Sequence, residues 1–251
     1  MTLKAVLFDL DNTLILYDEN TFFRQYSGAL YRHFAGVIPV AEFADRMLRS
    51  THIMVQNDGS QTNLELFMQA FSDGLNLPVD ELLQRFDKYY TGEFHHFREL
   101  MQPLSGTRAI FDYIRDRGLK IVIATNPMLP MSVQQQKLQW AGLDGFSFDL
   151  ITAVDNSSYC KPNLEYYREI CTKIQVPPEN CLMVGNDALN DMIASRLGLR
   201  TYLTIDSGNL SIELSRALAE KGQLDFPPPD HTGPLAELTT VIAELTGTGL
   251  D

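Results

Sequence analysis

The amino-acid sequence predicts an α/β fold: a Rossmann-like, doubly wound parallel sheet with a helical bundle inserted after its first strand. Three observations predict it. Short apolar or β-branched runs at 4–8, 119–124, 181–184 and 200–205 end at polar or turn-forming residues, as strands buried on both faces of a parallel sheet do. From Pro103 onward such runs alternate with segments of helical spacing, and repeated strand–helix units build parallel sheets. Between about 17 and 100 apolar residues recur only at helical spacing. The implied domains are a core of 1–16 and 100–251, and an inserted helical domain of 17–99.

The first strand, Ala5-Val6-Leu7-Phe8, stops at Asp9-Leu10-Asp11-Asn12-Thr13. Phe22, Phe23, Tyr26, Leu30 and Phe34 place the first inserted helix, and Phe43, Met47 and Leu48, after Pro39, the second. Leu64, Phe67, Met68 and Phe71 mark the third, and Leu82, Leu83, Phe86 and Tyr90, opened by Pro78, the fourth. One-sided stripes of this kind form the core of a small bundle. The stretch Gln56-Asn57-Asp58-Gly59-Ser60 interrupts it as a loop. Beyond Pro103 the expected order is helix 105–117, stopped by Gly118, strand 119–124, helix 131–141, strand 148–152 and helix 163–174. Strand 181–184, helix 187–197 and strand 200–205 follow, then an irregular stretch 222–233 around Pro227-Pro228-Pro229 and a last helix 235–246.

Composition narrows the function classes. A chain of 251 residues with 45% hydrophobic content can bury a sizeable core. The net charge of −12 argues against a nucleic-acid partner, which needs a basic face. No segment approaches the roughly 20 apolar residues of a membrane span, and the short run ahead of Asp9 is not expected to be a secretory leader. Cys160, Cys171 and Cys181 cannot all pair with one another and form no C-x-x-C unit. They are expected to be reduced, in a cytoplasmic protein that is a monomer or homodimer.

Four strand ends carry the candidate chemistry. In open α/β sheets ligands bind outside the carboxyl ends of the strands. Asp9 and Asp11 there are close enough to repel, so the pair calls for Mg²⁺, or for one nucleophile beside one general acid/base; an Asx-turn is the plainer alternative. Thr125-Asn126-Pro127 offers a hydroxyl and a backbone N–H to a phosphate oxygen, or is an ordinary turn. Lys161, before Pro162 at the start of a helix, supplies a fixed positive charge or is simply solvated. Gly185-Asn186-Asp187-Ala188-Leu189-Asn190-Asp191 brings acids to a helix start, where Asp187 and Asp191 share a face. They suit a hard cation such as Mg²⁺, or cap the helix.

In their order and placement these four segments resemble the haloacid dehalogenase-like hydrolase superfamily, over roughly 1–16 and 100–205. The resemblance implies a helical cap formed by the insertion, a phosphatase activity on small phosphorylated metabolites, and an aspartyl-phosphate intermediate. It makes Asp9 the nucleophile and Asp11 the general acid/base. Thr125, Asn126 and Lys161 would hold the phosphoryl oxygens. Asp9, the Asp11 carbonyl and the 186–187 turn would hold Mg²⁺. The family usually has Asp directly after the last motif's glycine, where this chain has Asn186. Either Asn186 ligates through its amide oxygen or the turn shifts to use Asp187, which is favoured for its charge; Asp191 would support the site from behind or act as a cap. On the same fold the alternatives are a phosphomutase or a haloacid dehalogenase, the latter gaining little from Asp11. A non-catalytic small-ligand-binding module is the alternative from another class.

Overall fold

The computed structural model describes residues 2–208 and 227–247. Its centre is β1 (Ala5–Phe8), fully buried. Two short strands, β2 (Ile15–Leu16) and β3 (Gln102–Pro103), pair antiparallel, so the chain enters and leaves the helical insertion side by side. β1 pairs in parallel with β4 (Lys120–Ile123) on one side and β6 (Cys181–Gly185) on the other. β5 (Leu150–Ile151) lies beyond β4; β7 (Arg200–Thr204) and β8 (His231–Gly233) lie beyond β6. The six-stranded sheet has the order β5-β4-β1-β6-β7-β8 and is parallel throughout. The strand order reverses at β1, and a crevice at such a switch point is where doubly wound sheets bind ligands.

Strand alternation divides the core between the two faces of the sheet. Val6 and Phe8 join Ile121, Ile123, Leu182 and Val184 under α5 (Thr107–Asp116), where the Phe8 and Phe111 rings stack at 4.6 Å. Ala5 and Leu7 join Val122 and Met183 under α7 (Leu164–Ile174). The C-terminal helix α8 (Leu238–Thr246) packs on the α5 side.

The insertion forms the four expected helices: α1 (Glu19–Tyr31), α2 (Val40–Val55), α3 (Asn63–Ser72) and α4 (Val79–Gly92). Each starts where the sequence provides for it. Asp18 accepts the Thr21 N–H, Thr62 and Glu65 form a capping box, and Pro39 and Pro78 precede α2 and α4. Phe34, Phe43, Phe71 and Phe86 form the bundle core, with ring centroids 4.8–5.9 Å apart. A 3₁₀ stretch, Phe94–Leu100, leads back to the core.

Contacts at two places join the insertion to the core. Phe94 stacks on Trp140 of α6 (Met131–Trp140) at 5.7 Å, and Gln136 Nε2 donates to the Tyr90 carbonyl at 2.9 Å. At α3, the Asn63 and Leu64 N–H groups donate to the Ser157 and Val154 carbonyls at 2.8 and 2.9 Å. The 56–60 loop is held there too, because the Tyr159 hydroxyl donates to the Asp58 carbonyl at 3.1 Å.

The structure differs from the sequence expectation in three places. The expected helix 187–197 is a tight loop followed by a 3₁₀ stretch, Met192–Leu197. The Asp187 side chain takes the Leu189 and Asn190 N–H groups at 2.8 and 2.9 Å, and side chains that bond locally compete with the helical ladder. Within the irregular 222–233 stretch, His231–Gly233 forms the edge strand β8; residues 222–226 lie outside the described residues. The β2–β3 ribbon was not foreseen, since two-residue strands leave no periodic signal.

Candidate active site

The site is built where β1, β4 and β6 end together. The Asp9 N–H donates to the Val184 carbonyl at 2.8 Å and the Ala124 N–H to the Phe8 carbonyl at 2.6 Å, which locks the three strand ends side by side. After Asp9 the backbone turns sharply. Asn12 takes a left-handed conformation, φ 58°, which Asn tolerates better than most residues, and its side-chain oxygen accepts the Tyr17 N–H at 3.0 Å.

Asp9 is buried, and Lys161 Nζ sits 2.8 Å from its Oδ1. The same ammonium lies 2.6 Å from Asp191 Oδ1, so one buried cation bridges two buried carboxylates. Burial lifts the Asp9 carboxyl above its ordinary range; Lys161 opposes this and Asp11 adds to it. Burial likewise pushes Asp191 up to about 7 against the pull of Lys161. Burial alone would lower Lys161, but Asp191 and Asp9 outweigh it and hold the ammonium well above the usual lysine range.

Asp11 faces the other way. Lys137 Nζ on α6 lies 2.7 and 3.0 Å from its two carboxylate oxygens, while the Asp11 side chain remains 28% exposed toward the crevice. Each aspartate of the pair thus has its own lysine, which relieves the repulsion the sequence implied. Lys137 was not singled out in the sequence, although a signal was present. It stands four residues after Val133 and three before Trp140, on the buried stripe of α6 and itself only 1% exposed. A lysine on an apolar stripe needs a buried partner.

Thr13, part of the first motif but given no role from the sequence, also joins the site. Its Oγ1 lies 3.2 Å from both Asp9 Oδ2 and Asn186 Oδ1, so it can donate to either. Asn186 is thereby brought to Asp9. Asp187 is not: its Oδ1 accepts the two loop N–H groups and its Oδ2 accepts Asn190 Nδ2 at 2.8 Å. The geometry thus brings Asn186, the residue the sequence preference placed second, to the Thr13–Asp9 pair, while both Asp187 oxygens are engaged within their own turn. Asp191 lies behind the site. Its Oδ2 accepts the Asp187 N–H at 3.0 Å, and it packs so tightly on Gly185 that a Cβ there would fall 2.0 Å from Asp191 Oδ2.

The β4 end is equally anchored. Tyr166 and Thr152 hydroxyls both donate to the Thr125 carbonyl, at 2.8 and 2.7 Å. Asn126 Oδ1 accepts the Lys161 N–H at 3.3 Å. Thr125, Asn126 and Lys161 therefore form one turn-to-turn unit beside Asp9.

For a hard divalent cation the donors that meet here are the Asp9 carboxylate and the Asn186 amide oxygen, and the family resemblance implies the Asp11 carbonyl as a third. No group of three or more His, Cys, Asp or Glu side chains among the described residues is placed to hold a metal. The set still fits Mg²⁺, which binds through one or two carboxylates and otherwise keeps waters or substrate oxygens.

The sequence profile of the haloacid dehalogenase-like hydrolases matches residues 3–197. The chain belongs to this family. Among curated relatives of this hydrolase, the glyceraldehyde 3-phosphate phosphatase of Methanothermobacter thermautotrophicus is 26% identical, over 94% of this chain and 99% of its own. The pyrophosphatase PpaX of Halalkalibacterium halodurans is 24% identical, over 80% and 83% of the two chains. The crystal structure of a phosphatase of the family from Thermococcus onnurineus superposes with a TM-score of 0.53 at 23% identity, covering 96% of this chain and 98% of that one, which shows a shared fold. No helix among the described residues of the hydrolase is long and apolar enough to cross a membrane.

Proposed function

We propose that this hydrolase is a Mg²⁺-dependent phosphatase of small phosphorylated substrates that works through an aspartyl-phosphate, with residues 17–99 acting as a cap over a core of 1–16 and 100–251. The observation that carries the proposal is the division of labour within the aspartate pair. Asp9 is buried and bound to Lys161 and Thr13, whereas Asp11 faces the crevice from Lys137. Relatives named as phosphatases support it.

In the first step an Asp9 carboxylate oxygen bonds to phosphorus, the bond from phosphorus to the leaving oxygen breaks, and protonated Asp11 gives that oxygen its proton. In the second, Asp11 as carboxylate takes a proton from water, whose oxygen bonds to phosphorus as the Asp9–phosphorus bond breaks. Splitting the reaction this way replaces one difficult displacement by two easier ones. Thr125, Asn126 and Lys161 would position the phosphoryl oxygens, and phosphoryl transfer depends mostly on such positioning and charge neutralisation. Mg²⁺, held by Asp9, the Asp11 carbonyl and Asn186, would supply further neutralisation. Lys137 acts through Asp11 by fixing where its carboxyl points. A dehalogenase has little use for a second acid held over the crevice, so the Lys137–Asp11 pair favours phosphoryl chemistry.

Phosphate release from a panel of phosphomonoesters, with Mg²⁺ and with chelator, tests the proposal. Release that depends on the cation is expected. Release unaffected by chelator, or transfer of phosphate to another position of the substrate without net release, would overturn it.

A further inference from the structure

A cavity of about 1130 Å³ opens between the helical insertion and the core, and Asp11, Asn126 and Lys137 line its floor. It exceeds the roughly 300–1,000 Å³ of ordinary small-molecule pockets. Above that floor the walls are mostly apolar, with Phe22, Phe43, Met47, Met54, Phe67 and Met68 among them. Part of the polar inventory on the walls is already engaged. The Tyr26 and Tyr90 hydroxyls bond to each other at 2.6 Å, and Ser27 Oγ donates to the Phe23 carbonyl at 2.9 Å. Gln134 Oε1, on a side chain that lines the cavity, is buried and finds no partner among the described residues. Three more lining residues are large, apolar and exposed at 57%, 59% and 74%: Phe23, Val40 and Leu48.

We infer that the alcohol released by this hydrolase is an extended apolar one, such as a long alkyl chain or a comparable hydrocarbon, and not a sugar or triose. The inference rests on the phosphatase proposal, which puts the phosphate at the floor. The rest of the substrate then has to occupy the apolar space above. There a polyol would give up water for a lining that is mostly apolar, with its remaining polar side chains (Thr51, Gln84 and Asp87 among them) spread between rings and methionines, and each hydroxyl left unpaired would cost affinity. A hydrocarbon gains with every methylene buried. The buried, unpartnered Gln134 Oε1 offers a place for a donor on the leaving group, and the exposed apolar residues continue the same surface outward.

The test is a series of unbranched alkyl phosphates, ethyl to octyl, below their micelle concentrations, with glycerol phosphate for comparison. kcat/KM is expected to rise about two- to fourfold per methylene, or about 60-fold and more from ethyl to octyl. Glycerol phosphate should fall below butyl phosphate. A flat or falling series with phosphate still released overturns the inference and leaves the phosphatase proposal standing. If a concentration-dependent dimer then appears in sedimentation, the apolar mouth belongs to a second copy of the chain. Ala44 lines the cavity, so Ala44→Phe should lower the octyl-to-ethyl ratio at least tenfold; an unchanged ratio counts against the inference. If no ester releases phosphate, the phosphatase proposal fails, and calorimetric binding of octylphosphonate against ethylphosphonate decides the cavity separately. Tighter binding of the octyl compound supports the inference and equal binding overturns it.

Discussion

The floor of the crevice and the chamber above it are built by opposite means. On the floor, charges and carbonyls at the ends of three adjacent strands hold one another. Lys161 bridges Asp9 and Asp191, Lys137 grips Asp11, Thr13 links Asp9 to Asn186, and two hydroxyls fix the Thr125 carbonyl. In the chamber, rings and methionines from the inserted helices surround a large space with few directional contacts. The contrast teaches where each kind of precision is needed. Phosphoryl chemistry depends on position within fractions of an ångström, which buried hydrogen-bonded charges provide. Recognition of an apolar group depends on area and volume, which non-directional packing provides.

The first way to break this comparison is at the centre of the floor. Asp9→Asn is expected to reduce turnover at least about 10⁴-fold, as loss of a covalent nucleophile does, and to abolish covalent phosphate detectable by intact-mass spectrometry. Turnover within tenfold of the parent would mean that Asp9 does not attack.

The second concerns stability. Lys161→Met strands two buried carboxylates, and removing one partner of a buried ion pair costs about 3–5 kcal/mol. Urea unfolding should show that loss. The double variant Lys161→Met with Asp191→Leu should recover much of the stability and none of the activity. Recovery of activity would make the network a scaffold with no part in the chemistry.

The third lies on the border between the regions. Lys137→Met frees the Asp11 carboxyl to wander and is expected to lower kcat about 10- to 100-fold, below the full worth of general acid/base catalysis. KM for a short-chain ester should stay within threefold, and Lys137→Arg should restore part of the loss. A change confined to KM would assign Lys137 to substrate binding.

The smallest effect separates two neighbours. Asn186→Ala should raise the Mg²⁺ concentration needed for half-maximal activity about tenfold. Asp187→Ala should leave it unchanged and cost about 1 kcal/mol of stability, the usual value of a lost cap. The reverse pattern would restore Asp187 as the ligand.

Much of the fold was legible because its signals are local. The strands at β1, β4 and β6 are short apolar runs between turn residues, and the four inserted helices carry one-sided aromatic stripes behind caps such as Asp18 and Thr62. The placement of Asp9, Asp11, Thr125 and the 185–191 turn at strand ends, and of Lys161 just before a helix, was legible for the same reason. The loop at 187–191 was misjudged because its geometry follows from side chains: Asp187 capping its own turn, Asp191 over Gly185, and the Tyr167 hydroxyl donating to the Asn190 carbonyl.

The sequence by itself determined the doubly wound core, the helical insertion after the first strand and the set of polar residues at the strand ends, since periodicity, caps and turns act over a few neighbouring residues. Only the tertiary structure decided which lysine meets which aspartate, that Asn186 and not Asp187 approaches Asp9, and that the space over the floor is apolar. Those outcomes depend on contacts between residues up to 173 positions apart, as between Thr13 and Asn186, and a side chain's partner at that separation is set by the packing of whole elements.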